Sequence, residues 1–139
     1  MNVYVDASVV LRRLLKQPQA ILRWSDWGKA VTSELLRVEA CRTLDRLRVR
    51  GKLSDSELAE RLAALRDLMS RFDEAPLQPS VLQRAAAAFP TALGTLDAIH
   101  LATALLWVES RAEPLVFLTH DMELAVAARA CGLDVKTSP

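Results

Sequence analysis

The sequence predicts an α/β fold, a parallel sheet with helices on both faces. Three observations lead there. Short β-prone segments alternate with longer helical ones along the chain, the pattern of repeated strand–helix–strand units. Leu115-Val116-Phe117-Leu118 is an unbroken apolar run, as expected of a strand buried on both faces. Aromatic residues make up only 5% of the 139 while Ala and Leu abound, which favours helices over an all-β sandwich.

Each element has its own signal. Asn2–Val5 is short and β-prone and reads as the first strand; a helix follows over about Ala7–Leu15. A second helix is expected over Ala20–Trp27, then a short strand at Ala30–Thr32. Leu36, Ala40, Leu44 and Leu47 recur at the helical period, predicting a long helix from about Glu34 to Arg50 that stops at Gly51. Ser54 with Glu57 fits a capping box, and Leu58, Leu62, Leu65 and Met69 line the helix it opens. These two helices, between residues 34 and 70, read as an excursion from the alternating core. Phe72–Ala75 suits a short strand and Ser80–Phe89 a helix. Thr95 is the expected cap of a strongly apolar helix running through Leu101, Ala104, Leu105 and Val108. After the Leu115–Leu118 strand, an Ala-rich helix closes at Gly132, a candidate C-cap, and Val135 belongs to a last edge strand.

Composition narrows the class. Apolar residues at 51% and charged residues at 25% exclude a mostly disordered chain. No apolar run reaches the roughly 18 residues of a membrane span, and Met1–Asp6 lacks the basic start of a signal peptide. A soluble, cytoplasmic protein is expected. Cys41 and Cys131 lie far apart with no zinc-ligand spacing and are expected to be reduced core residues. The net charge of +1 hides an asymmetry. Residues 1–52 hold 11 Lys/Arg against 5 Asp/Glu, and residues 53–139 hold 7 against 12. A basic half on a near-neutral protein suits a local anionic partner, although segregated solvated helix faces would look the same.

The acids carry the chemistry. In an open α/β sheet, sites lie beyond the carboxyl ends of the strands. Asp6 follows the first strand and Asp121 follows the buried apolar run, so both should open onto one edge. Each also suits an N-cap, and the two roles are compatible. Asp97 falls in the first turn of its helix, where the dipole favours an acid. Glu39 lies beyond the first turn of its own helix, on the side of Leu35 and Leu36, at the edge of the buried stripe. Glu34 reads more simply as dipole complementation. Unpaired carboxylates about 4 Å apart repel by about 4 kcal/mol per pair at an effective dielectric near 20. A cluster of four therefore needs protons or cations, and oxygen-only ligands suit Mg²⁺ or Mn²⁺. Ions held there can activate water and stabilise a phosphodiester leaving group. Arg37, Arg42, Arg46, Arg48, Arg50 and Lys52 supply charge for a phosphate backbone.

Four segments resemble the PIN-domain ribonucleases, and within them the VapC-type toxins of bacterial toxin–antitoxin pairs. They are Val5-Asp6-Ala7-Ser8, the helix entry Ser33–Glu39, Leu96–Ala104, and Thr119-His120-Asp121. They occur in the family's order over about residues 2–135, consistent with a single PIN-like domain over residues 1–139. The resemblance implies that Asp6, Glu39, Asp97 and Asp121 form an acidic Mg²⁺ or Mn²⁺ site. Asp6 and Asp97 would be direct ligands, with Glu39 and Asp121 acting through water or at a second metal. Ser8 and Thr119 match hydroxyl positions that orient the first acid or the water. It further implies a three-layer fold, metal-dependent endoribonuclease activity on structured RNA such as tRNA or ribosomal RNA, a cognate antitoxin and a homodimer.

His100 is expected to be a partly buried helix residue and His120 a turn residue. Trp24, Trp27 and Trp107 suit core or partner packing better than base stacking. If the chain is a toxin, Trp24 and Trp27 and the 34–70 helices are candidate docking surfaces for its antitoxin. Other readings are an RNA-processing nuclease of the same fold with no antitoxin, and a PIN-like binding module without catalysis. A receiver-like signalling domain is a further alternative. It would need an acceptor Asp on a middle strand and a Lys after a late one. Phe72-Asp73-Glu74 is a poor acceptor site and Thr119-His120-Asp121 offers no Lys.

Overall fold

The middle strand, β1 (Val3–Val5), pairs in parallel with β2 (Ala30–Ser33) on one side and β4 (Val116–Leu118) on the other. β3 (Asp73–Ala75) and β5 (Asp134–Lys136) complete a five-stranded parallel sheet in the order β3-β2-β1-β4-β5. This is a computed structural model, and it describes residues 1–20 and 26–137. The chain runs outward from β1 to β2 and β3, then returns to the other side of β1 for β4. Strand order therefore reverses between β1 and β4, and the crevice beyond their carboxyl ends is where such sheets place a site.

Alternation along β1 divides the core. Val3 and Val5 face a cluster with α1 (Ala7–Leu14), α2 (Leu35–Val49) and α3 (Asp55–Met69), built on Val9, Leu36, Leu44, Leu65 and Met69. Tyr4 faces the opposite cluster with α5 (Thr95–Arg111) and α6 (Met122–Ala130), built on Leu101, Leu105, Phe117, Leu124 and Ala128. α4 (Pro79–Ala86) packs on α5. Each fully buried Leu or Phe contributes about 1.5–3 kcal/mol relative to exposure. Cys41 and Cys131 are free and pack at the edges of different clusters. The three layers are thus helices, sheet, helices, as the sequence predicts.

Most element ends follow the local signals. The Ser54–Glu57 capping box forms in both directions, and Gly132 closes α6 at φ +88°, a conformation open to Gly without a Cβ penalty. Four readings change. α4 begins at Pro79 and ends at Ala86, short of Phe89; Pro90 disfavours a helical residue before it, so the chain leaves the helix early. Gly94, not Thr95, occupies the cap position of α5. Glu34 does more than complement the dipole, because its Oε1 accepts from the Leu77 N–H at 2.6 Å and ties the loop after β3 to the end of β2. The helix expected over Ala20–Trp27, with Trp24, lies largely outside the described residues. Trp107 is buried, with the Arg111 guanidinium 5.0 Å above its ring. Among the described residues no helix is long and apolar enough to cross a membrane.

Candidate active site

Asp6 leaves β1 at the point where strand order reverses, and its N–H bonds the Leu118 carbonyl of β4 at 3.1 Å. Its side chain is buried at 4% exposure. One carboxylate oxygen, Oδ2, accepts the Ser8 hydroxyl at 2.6 Å, the Thr119 hydroxyl at 2.9 Å and the Ser8 N–H at 3.3 Å. The last of these caps α1, so the capping reading of Asp6 holds beside any other. Each hydroxyl has one hydrogen to give, and both are directed to Oδ2. Their acceptor sides are used as well. Ser8 Oγ receives the His120 N–H at 2.9 Å and Thr119 Oγ1 receives the Asp121 N–H at 3.0 Å. The turn after β4 is thereby locked to the turn after β1.

Asp121 caps α6 through one oxygen, Oδ1, which accepts from the N–H groups of Glu123 and Leu124. Asp97, in the first turn of α5, is half-buried. Burial, then the charges of Asp121, Asp6 and Glu39, push its pKa up to about 6, against an opposing pull from His100. The four acids named by the sequence thus share one electrostatic field, although they come from four separate segments. The cavity of about 410 Å³ bounded by Val31, Glu74, Val81, Thr103 and Trp107 contains none of them.

His100 is the residue that sequence reasoning placed wrongly. It is fully buried, not partly so. Its Nε2 lies 2.5 Å from Glu39 Oε1 and 3.9 Å from Asp6 Oδ1, and its Nδ1 lies 2.7 Å from the Tyr4 hydroxyl. Burial works against its charged form, but the Glu39 hydrogen bond and the charges of Asp6, Glu39 and Asp97 outweigh it and raise its pKa. Burial, then the charge of Asp6, keep the Tyr4 hydroxyl protonated far above the ordinary phenol range. Two spacings signal this cluster. His100 follows Asp97 by three residues on one helix, and Tyr4 precedes Asp6 by two on one strand, so each pair shares a face.

The donor set suits a hard divalent cation in kind. All four acids offer oxygen, and His100 is the one positive group among the charges that act most on Asp97. The arrangement is not a closed cage. Among the described residues, no three or more His, Cys, Asp or Glu side chains are grouped so as to hold an ion.

The basic segment sorts into two sets. Arg37 pairs with Glu74 at 3.1 Å, and Arg42 and Arg48 share Asp45 at 3.0 Å each. Arg46, Arg50 and Lys52 are exposed and make no ion pair among the described residues.

A family model described as the PIN domain matches residues 3–130. The chain belongs to the PIN-domain family. Ribonuclease VapC47 of Mycobacterium tuberculosis (strain CDC 1551 / Oshkosh) is 33% identical over 144 residues, covering 99% of this chain and 96% of that protein. This PIN domain is accordingly of the VapC type. The crystal structure of PAE2754 from Pyrobaculum aerophilum superposes with a TM-score of 0.62 at 23% identity, covering 97% of this chain and 89% of that one, a likeness of fold. The PIN-domain match removes the receiver-like alternative. Asp73 lies exposed on the edge strand β3 rather than at the mouth of a central strand.

Proposed function

We propose that this chain is a divalent-metal-dependent endoribonuclease that cuts structured RNA, tRNA or ribosomal RNA, as the toxin of a cytoplasmic toxin–antitoxin pair. The observation that carries the reading is the shared field of Asp6, Glu39, Asp97 and Asp121, strong enough to hold a proton on Asp97 up to about pH 6. Acids gathered without a neighbouring Lys or Arg are costly unless a cation joins them. The similarity to a protein named Ribonuclease VapC47 supports the RNA-cutting activity.

In this mechanism Asp6 and Asp97 hold Mg²⁺ or Mn²⁺ directly, while Glu39 and Asp121 act through water or at a second position. The bound cation supplies charge against the developing phosphodiester anion and lowers the pKa of water. Ser8 and Thr119 direct Asp6 by fixing Oδ2, which leaves Oδ1 turned toward the other acids. Arg46 and Arg50 hold phosphates on the approach to the site. A cognate antitoxin is the proposed inhibitor, and a homodimer the proposed assembly.

The test is cleavage of total bacterial RNA by purified wild type and Asp6→Asn, with Mg²⁺, with Mn²⁺ and with chelator. Discrete new ends with wild type and metal only are expected. Equal cutting by Asp6→Asn, or cutting undiminished by chelator, would remove the assignment. Growth arrest on expression, relieved by a co-expressed neighbouring small protein, separates a toxin from a processing nuclease.

A further inference from the structure

We propose that His100 is a positioning residue that holds the Glu39 carboxylate in the acidic site, with Tyr4 as its fixed anchor. This rests on the metal-dependent reading above.

The geometry does not depend on the protonation state of the ring. A carboxylate can only accept, so Nε2 at 2.5 Å from Glu39 Oε1 carries the hydrogen. In the neutral ring Nδ1 then accepts, and the Tyr4 hydroxyl donates to it across 2.7 Å. In the charged ring Nδ1–H donates to the same hydroxyl oxygen. Either way Nε2–H points at Glu39. The anchor cannot drift. Tyr4 is fully buried, stacks on Phe117 at 5.1 Å and meets the imidazole edge-on at 5.8 Å.

Glu39 has no hydrogen bond other than the one from His100. Its side chain is 16% exposed, so without His100 nothing opposes rotation toward water. The line Tyr4–His100–Glu39 joins β1, α5 and α2, the elements that deliver Asp6, Asp97 and Glu39. His100 Nε2 also faces Asp6 Oδ1 at 3.9 Å, the oxygen that Ser8 and Thr119 leave free. A histidine serving only the core would need neither contact.

The experiment is Mn²⁺ binding to purified protein, read by the electron paramagnetic resonance of free Mn²⁺, so that no RNA cleavage enters. His100→Leu should weaken binding about 10-fold, within the range for lost supporting contacts around a metal. His100→Gln, whose amide can still donate toward Glu39, should recover most of it. If His100 acts through Glu39, His100→Leu adds nothing to Glu39→Gln in the double variant. Wild-type affinity in folded His100→Leu, or losses that multiply in the double variant, would overturn the proposal. Absence of Mn²⁺ binding by wild type would take down the metal reading and this inference with it.

A second measurement needs neither metal nor a variant at position 100. The His100 ring N–H should give a far-downfield proton resonance in the metal-free protein. Glu39→Gln should shift it upfield. A resonance indifferent to Glu39→Gln would also refute the contact.

Discussion

Asp6 and Thr119 stand 113 positions apart, and the Thr119 hydroxyl donates to Asp6 Oδ2 at 2.9 Å inside the protein. Ser8 reaches the same oxygen at 2.6 Å. The two hydroxyls fix the carboxylate from opposite sides of the β1–β4 seam. Each also receives a backbone N–H from the turn after β4.

Removing either hydroxyl therefore has two costs. Ser8→Ala takes a donor from Asp6 and an acceptor from the His120 N–H; Thr119→Val does the same for Asp6 and the Asp121 N–H. Each should destabilise the fold by about 1–2 kcal/mol in urea melts. RNA cleavage should fall by about 10-fold or more, because a small misplacement of a reacting group is expensive. The double variant should lose less than the sum, since both hydroxyls serve one oxygen. Additive losses in both readouts would show that the hydroxyls act independently.

Asp97 makes a prediction of opposite sign. Its folded pKa is about 6 against an ordinary 3.8, so the folded state binds the proton more tightly than the unfolded one. Stability falls as pH rises from about 4 to about 6, and the deficit persists above that. Asp97→Asn should therefore stabilise the metal-free protein at pH 7.5, by on the order of 1 kcal/mol once solvent screening is allowed for. The gain should vanish near pH 4. Equal urea midpoints for the two proteins at pH 7.5 would show that the acids do not share a field. Mg²⁺ should raise the wild-type midpoint at pH 7.5 more than that of Asp97→Asn.

What sequence reasoning could reach was set by range. Val3–Val5 and Leu115–Leu118 are legible because a strand buried on both faces must be apolar throughout. Asp6 and Asp121 are legible because the ends of such strands are where sites open. Glu39 stands out because no cap accounts for it. His100 does not, because its partners lie 96 and 61 positions away and a polar residue on an apolar helix usually serves the core. The basic segment is half legible. Its charge is plain, but only the fold places Glu74 against Arg37 and turns Asp45 toward Arg42 and Arg48. The early end of α4 is a case of a near-local signal, Pro90, outweighing the helical pattern before it.

That sorting gives a last prediction. Glu39, Arg42, Arg46 and Arg50 follow one another by three, four and four residues, so they line one flank of α2. Arg46 and Arg50 are the unpaired ones among the described residues. They stand about 10 and 16 Å beyond Glu39 along the axis, at 1.5 Å per residue. An RNA strand entering the acidic site along this flank would place phosphates against them. Binding of a labelled 20-residue oligouridylate to the Asp6→Asn protein should weaken when both arginines become Ala. The slope of log affinity against log salt should fall by about 2, one for each lost phosphate contact. Arg48→Ala should change the slope little, because Asp45 already neutralises Arg48. An unchanged slope in Arg46→Ala/Arg50→Ala would place the RNA on another face. A loss equal for Arg48→Ala would mean that the whole helix acts as a diffuse charge, with no track along the Glu39 flank.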